Sequence, residues 1–139
     1  MPDEAPGAFI DTNVLLYLLS SDAKKAARAE QILHAGGHVS VQVLNEIANV
    51  ARRKMAMNWA ETRDLLDIVR ELLRVHAITE ETHARGLALA ERFGVSVDDA
   101  MILAAAQLAG CRTVWSEDMQ DRMVVGEGLM VENPFLIRK

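Results

Sequence analysis

Short apolar runs alternate along the chain with longer stretches of amphipathic spacing. Ala8-Phe9-Ile10 is an apolar run closed by Asp11, and Asn13 is placed to cap a helix over Val14–Ser20. Ala23–Ala35 is Ala-rich and carries Lys24, Lys25, Arg28 and Glu30, the pattern of a solvent-flanked helix stopped by Gly36-Gly37. His38–Val41 predicts a second strand and Gln42–Met57 a third helix. Asn58 and Glu61 have capping-box spacing, and the helix after them presents Leu65, Leu66, Val69, Leu72 and Leu73 as an apolar stripe. That stripe predicts either core packing or the docking of a partner chain. Val75–Ile78 predicts a strand, followed by helices over Glu80–Phe93 and Asp98–Ala109, closed by Gly94 and Gly110. Thr113–Trp115 and Leu129–Val131 complete the set of strands.

Strands separated by long helices imply a largely parallel sheet covered on both faces. No repeat, linker or low-complexity segment interrupts the 139 residues. The pattern therefore predicts an α/β chain forming a single domain over 1–139, a three-layer α/β/α sandwich with a central, mostly parallel sheet.

Charge narrows the possible partners. Fifteen basic and 20 acidic side chains give a formal charge of −5. Nine basic and ten acidic residues lie up to residue 75, and six and ten lie beyond it, so the excess is in the second half. A nucleic-acid substrate would then need metal ions or local basic patches. Lys24, Lys25, Arg28, Arg52, Arg53 and Lys54 are candidates for such patches, although solvated helix faces explain them equally well. The single cysteine, Cys111, suits a reducing compartment and a structural role. The start MPDEAPGAF lacks a basic leader and an apolar run, and Ala100–Ala106 is too short to span a bilayer. A cytoplasmic protein without a membrane partner is expected.

Four acids stand in otherwise apolar surroundings: Asp11, Glu46, Asp99 and Asp118. Crowded or desolvated carboxylates cost free energy, and a divalent cation is the common reason for keeping them together. In a parallel sheet the strand C-termini and the following helix N-termini share one edge, where ligands bind. Asp11 follows its strand directly, Asp118 comes three residues after Trp115, and Asp99 and Glu46 lie early in their helices. Each acid has a plainer explanation as well. Asp11 could be a turn residue, Glu46 a surface acid paired with Arg52 or Arg53, and Asp118 part of a charged loop with Glu117 and Asp121. Ser96 and Asp99 have capping-box spacing, and Asp98 gains from the helix dipole. His34, His38, His76 and His83 show no metal-ligand spacing, and there is no phosphate-binding glycine loop or Ser/His/Asp pattern.

Read together, the local contexts of these acids carry a family resemblance. Phe9-Ile10-Asp11-Thr12-Asn13 resembles the opening motif of PIN-domain ribonucleases, and Val39-Ser40-Val41-Gln42-Val43-Leu44-Asn45-Glu46 their second-acid segment. Asp99-Ala100-Met101-Ile102-Leu103-Ala104-Ala105-Ala106 is similar to the helix bearing the third acid. Trp115-Ser116-Glu117-Asp118-Met119-Gln120 with Val131-Glu132-Asn133-Pro134-Phe135 resembles the C-terminal signature of VapC-type toxins.

The resemblance implies a metal-dependent endoribonuclease in which Asp11, Glu46, Asp99 and Asp118 bind the metal. Ser116 would shape the site, and Thr12 or Asn13 would hold the first loop. An all-oxygen donor set selects a hard ion, Mg²⁺ or Mn²⁺. The resemblance also implies an RNA substrate, a homodimer, and a small antitoxin that covers the active site. One departure stands out: the position before the third acid is often aromatic in this family, and here it is Asp98, either a bystander or a fifth member of the site. Two other classes remain open. A phosphoacceptor signalling domain also gathers acids at strand ends but should carry a late-strand lysine, and none lies near Thr113–Ser116 or Leu129–Val131. A catalytically silent interaction module of the same fold would not need intact acids.

Overall fold

The computed structural model describes residues 7–126 and 128–136. Five three-residue strands, β1 (Ala8–Ile10), β2 (His38–Ser40), β3 (Arg74–His76), β4 (Thr113–Trp115) and β5 (Met130–Glu132), form one sheet in the order β3-β2-β1-β4-β5. Every pairing within it is parallel. The helices are α1 (Thr12–Leu16), α2 (Ala23–Ala35), α3 (Val41–Arg53), α4 (Trp59–Leu72), α5 (Glu80–Phe93) and α6 (Val97–Leu108), with a 3-10 turn at Tyr17–Leu19. The result is the α/β/α sandwich that the alternation predicts.

Burial explains the arrangement. Phe9, Ile10, Val39, Val114 and Val131 are fully buried in the strands. Above them pack Val14 and Leu15 of α1, Val43, Ile47 and Ala51 of α3, and all of Ala100–Ala106 in α6. The continuous burial of that α6 run is what a central helix of a covered sheet requires. The α4 stripe divides: Val69 and Leu73 are buried in the core, Leu65 and Leu66 pack against it, and Leu72 is exposed. Core packing is therefore the larger part of its role.

Several boundaries move from their expected places. The first helix begins at Thr12, with Asp11 rather than Asn13 as its N-cap, and it tightens into the 3-10 turn after Leu16. Val41 belongs to α3 and not to β2, and α3 ends at Arg53 rather than Met57. β3 sits earlier than the Val75–Ile78 run because Arg74 is drawn into register opposite His38, its N–H donating to Gly37 O at 2.9 Å. Pairing, rather than side-chain pattern, sets the ends of strands this short.

Gly37 enters β2 with φ at +144°, and a Cβ there would lie 2.6 Å from Ala8 O of the neighbouring strand. Both the dihedral and the backbone contact oppose any side chain. Gly37→Ala is expected to cost about 2 kcal/mol or more, read as a lower midpoint in urea unfolding.

Candidate active site

The sheet order places the switch point between β1 and β4. From β1 the chain moves outward through β2 to β3, then returns to add β4 and β5 on the other side. Ligands of open parallel sheets bind at the strand C-termini beside such a switch. Ile10 and Trp115 end β1 and β4 in direct register, so Asp11 and Ser116 leave the sheet side by side.

Asp11 is buried, only 5 % exposed, and its carboxylate is held from several sides. Thr12 N–H donates to Oδ1 at 2.7 Å, while Asn13 Nδ2 and Ser116 Oγ each donate to Oδ2 at 2.9 Å. Asn13 is freed for this because Asp11 itself caps the helix. Its own Oδ1 accepts the Glu117 N–H at 3.0 Å, tying the first loop to the loop after β4. Ser116 is also buried, and its Oγ accepts the Met119 N–H at 3.2 Å, which turns that loop and leaves Asp118 exposed beside it.

Glu46 reaches the same edge from α3. Its Oε1 accepts from the Thr12 hydroxyl, and its Oε2 accepts from Gln42 Nε2 at 3.4 Å. Gln42 also donates to the backbone carbonyl of Asp98 at 3.1 Å, linking α3 to the first turn of α6. There Ser96 Oγ accepts the Asp99 N–H at 3.1 Å, so the helix cap is real. It holds Asp99 in place without excluding another role for the side chain. Asp99 is half-buried and Asp98 exposed.

Electrostatics shows which of these acids feel one another. Burial pushes the Asp11 carboxyl up to about 6; hydrogen bonds from Ser116 and Thr12 oppose the shift, and the charges of Asp99 and Glu46 add to it. Asp99 is likewise raised, first by burial and then by Asp118, Asp98 and Glu46, against the Ser96 hydroxyl. Asp99 and Glu46 thus both act on Asp11, and Asp118, Asp98 and Glu46 act on Asp99. Among the described residues, no three His, Cys, Asp or Glu side chains close into a ligand shell around one point. The acids form an electrostatic cluster along an open edge.

Other parts of the edge were not foreseen. Glu117, which the sequence offers as one of a charged loop, accepts from Lys25 Nζ at 2.6 Å and from the Tyr17 hydroxyl at 2.5 Å. Although burial pushes its carboxyl upward, those two partners bring it below the usual range. Lys25 and Arg28 are engaged within the protein: Lys25 with Glu117, Arg28 through Nε to Pro134 O at 3.0 Å. Asp121 Oδ1 accepts the Asn133 N–H at 2.8 Å and so helps hold the C-terminal segment. Gln42 alone had a legible signal, one helical turn before Glu46. A cleft of about 890 Å³ lies between α3 and α4, and none of the four acids lines it.

A family model described as PIN domain matches residues 8–124. Comparison with curated proteins returned no match. Among solved structures, a toxin–antitoxin complex from Klebsiella pneumoniae is similar at 25% identity and a TM-score of 0.70, covering 94% of this chain and 99% of that one. VapC20 from Mycobacterium tuberculosis, described as a sarcin-ricin loop cleaving toxin, is similar at 18% identity and a TM-score of 0.66, covering 80% of this chain and 89% of its own. VapBC2 from Rickettsia felis, bound to a DNA fragment from its promoter, is similar at 18% identity and a TM-score of 0.64, covering 91% and 97%. The chain belongs to the PIN domain family, and its fold is that of the VapC-type toxins.

Proposed function

We propose that this protein is a Mg²⁺- or Mn²⁺-dependent endoribonuclease acting as the toxin of a toxin–antitoxin pair, with Asp11, Glu46, Asp99 and Asp118 as its metal-binding acids. One observation carries this reading: Asp11 and Asp99, brought by two different elements to the sheet's switch point, are both raised, with Glu46 of a third element adding to each, and the most buried of them reaches about 6. A fold gains no stability from such a grouping, which suits a site that meets a cation in use. The donor set fits a hard ion, since every candidate ligand is a carboxylate oxygen and the His38–His76 pair belongs to β2 and β3.

When bound, the ion would lower the pKa of a water molecule and offset charge on the scissile phosphate. The chain's own residues set the geometry. Asn13 and Ser116 orient Asp11, Thr12 and Gln42 hold Glu46, and Ser96 fixes the turn that presents Asp99. Hydrolysis at this edge leaves 5′-phosphate and 3′-hydroxyl ends. Incubating the protein with structured RNAs and Mg²⁺ or Mn²⁺ tests the proposal; cleavage that persists in EDTA overturns the metal requirement.

Asp98 is assigned the lesser role. Its side chain is exposed, and its fixed contact is made by the backbone carbonyl. Asp98→Asn is expected to change cleavage by less than about tenfold, well short of the effect at Asp99. Equal losses at the two positions would make Asp98 a full member of the site.

The toxin reading extends to partners. VapBC and FitAB structures with similar folds are complexes, several bound to DNA. For this chain we propose a small antitoxin that covers the acid edge, and a homodimer. Among the described residues no helix is long and apolar enough to cross a membrane. On the separate ground of the proposed RNA substrate, we propose a cytoplasmic location. Co-expression with the product of an adjacent small reading frame should yield a stable complex in which RNA cleavage is suppressed.

A further inference from the structure

The tip of the α3–α4 hairpin has properties that neither the core nor the acid edge explains. Between residues 52 and 63 stand Arg52, Arg53, Lys54 and Arg63 against a single acid, Glu61, in a chain whose formal charge is −5. Glu61 is already occupied, its carboxylate accepting the Asn58 N–H at 2.9 Å in the capping box. Beside these charges Trp59 is 56 % exposed. Arg52 lies 4.4 Å and Arg63 5.8 Å from its ring centroid. Ala56, with φ at 54°, helps form the turn that carries the tip.

Helix geometry ties this tip to the acids. Glu46 and Arg53 are seven residues apart on α3, which places them within about 20° of the same direction and about 10 Å apart along the axis. Exposed Asn49 lies between them on that side, and Gln42 lies one turn above Glu46. A polar stripe thus runs from the acid edge to the basic tip.

We propose that the hairpin tip is an RNA-binding surface that takes the single strand leaving the acid edge, with Arg53 and Lys54 meeting phosphates and Trp59 stacking a base. The inference rests on the RNA-cleaving function proposed above. A cluster of carboxylates without its ion repels a polyanion, so metal-independent attraction calls for a basic patch elsewhere on the protein, and Lys25 and Arg28 are already engaged. An exposed indole flanked by guanidinium groups is a sequence-tolerant stacking platform. An acidic protein segment would use the cations but would have less need of the indole.

The test uses the full chain in EDTA, where binding is separated from cleavage, with a single-stranded RNA oligonucleotide. RNA is expected to quench Trp59 emission, and Trp59→Phe to lose most of that quenching while still binding. Arg53→Gln/Lys54→Gln leaves the Arg52 packing in place and should weaken binding several-fold. It should also lower the slope of log affinity against log salt by about 1.4, while the Arg53→Lys/Lys54→Arg exchange restores both. Unaltered melting temperatures show that the variants fold. If wild type cleaves RNA but the tip variants match it in affinity, slope and quenching, the tip proposal fails alone. If wild type neither binds nor cleaves any RNA, the nuclease reading itself fails. Equal competition by poly-glutamate at matched charge would reassign the tip to an acidic protein partner and overturn its role toward RNA.

Discussion

Asp11→Asn is expected to lower RNA cleavage about a thousandfold or more, the loss of several kcal/mol that a bound divalent ion supplies to a phosphoryl reaction. The substitution preserves shape and removes the charge, although it also sets an amide donor at a position where Thr12, Asn13 and Ser116 all donate to the carboxylate. Asp99→Asn should be of similar severity, because the charges of Asp118 and Glu46 both bear on Asp99 and its own bears on Asp11. Groups that hold one ion act as a unit, so the double variant should be little worse than either single one. Single-turnover rates with Mn²⁺ on a structured RNA decide the matter. A rate within tenfold of wild type for Asp11→Asn would remove Asp11 from the site.

The second large effect is an inversion of stability by metal. The Asp11 carboxyl is raised to about 6 from an ordinary 3.8, so the folded chain holds its proton more tightly than the unfolded chain. Its contribution to stability is fully present below pH 3.8 and is lost as pH rises through about 6. At pH 7.5 the ionised group therefore costs the fold on the order of 2 to 3 kcal/mol. Asp11→Asn removes that charge, although its amide nitrogen must face the Asn13 and Ser116 donors, which returns part of the gain.

In EDTA the variant should melt a few degrees above wild type at pH 7.5, with the difference vanishing near pH 4. His76, lowered by burial and by His38 and Arg74, and Glu117 shift stability in other directions with pH, but they are common to both proteins and cancel in the difference. Adding Mn²⁺ at a hundred times its Kd should stabilise wild type by about 2.7 kcal/mol and the variant far less, so the order reverses. Equal stabilisation of wild type and variant by Mn²⁺ would remove Asp11 from the metal site.

Much of this molecule is written locally. The Asn58–Glu61 capping box forms as its spacing implies, and Ala23–Ala35 and Glu80–Phe93 are helices with those same bounds. Where expectation and structure part, the competing force acts at a distance. Asn13 has a capping side chain, yet Asp11 takes the cap because Asn13 is drawn to Ser116 and Glu117, more than a hundred residues away. Lys25 and Arg28 looked available on a solvent-facing helix, but Glu117 and Pro134 come to meet them. The Ser96 cap was legible at Asp99, and its place on one edge with Asp118 was expected from the strand–helix order, while the burial that raises it was not.

By itself the sequence determined the alternation of strands and helices, most caps, and the identity of the acids, because periodicity, capping and side-chain chemistry act within a few residues. Only the tertiary structure decided the strand order β3-β2-β1-β4-β5, the switch point beside β1 and β4, and which acids sense one another there. Those depend on which buried faces pack together across the whole chain. Coulomb and desolvation energies follow from separation in space, and no spacing along the sequence encodes that separation.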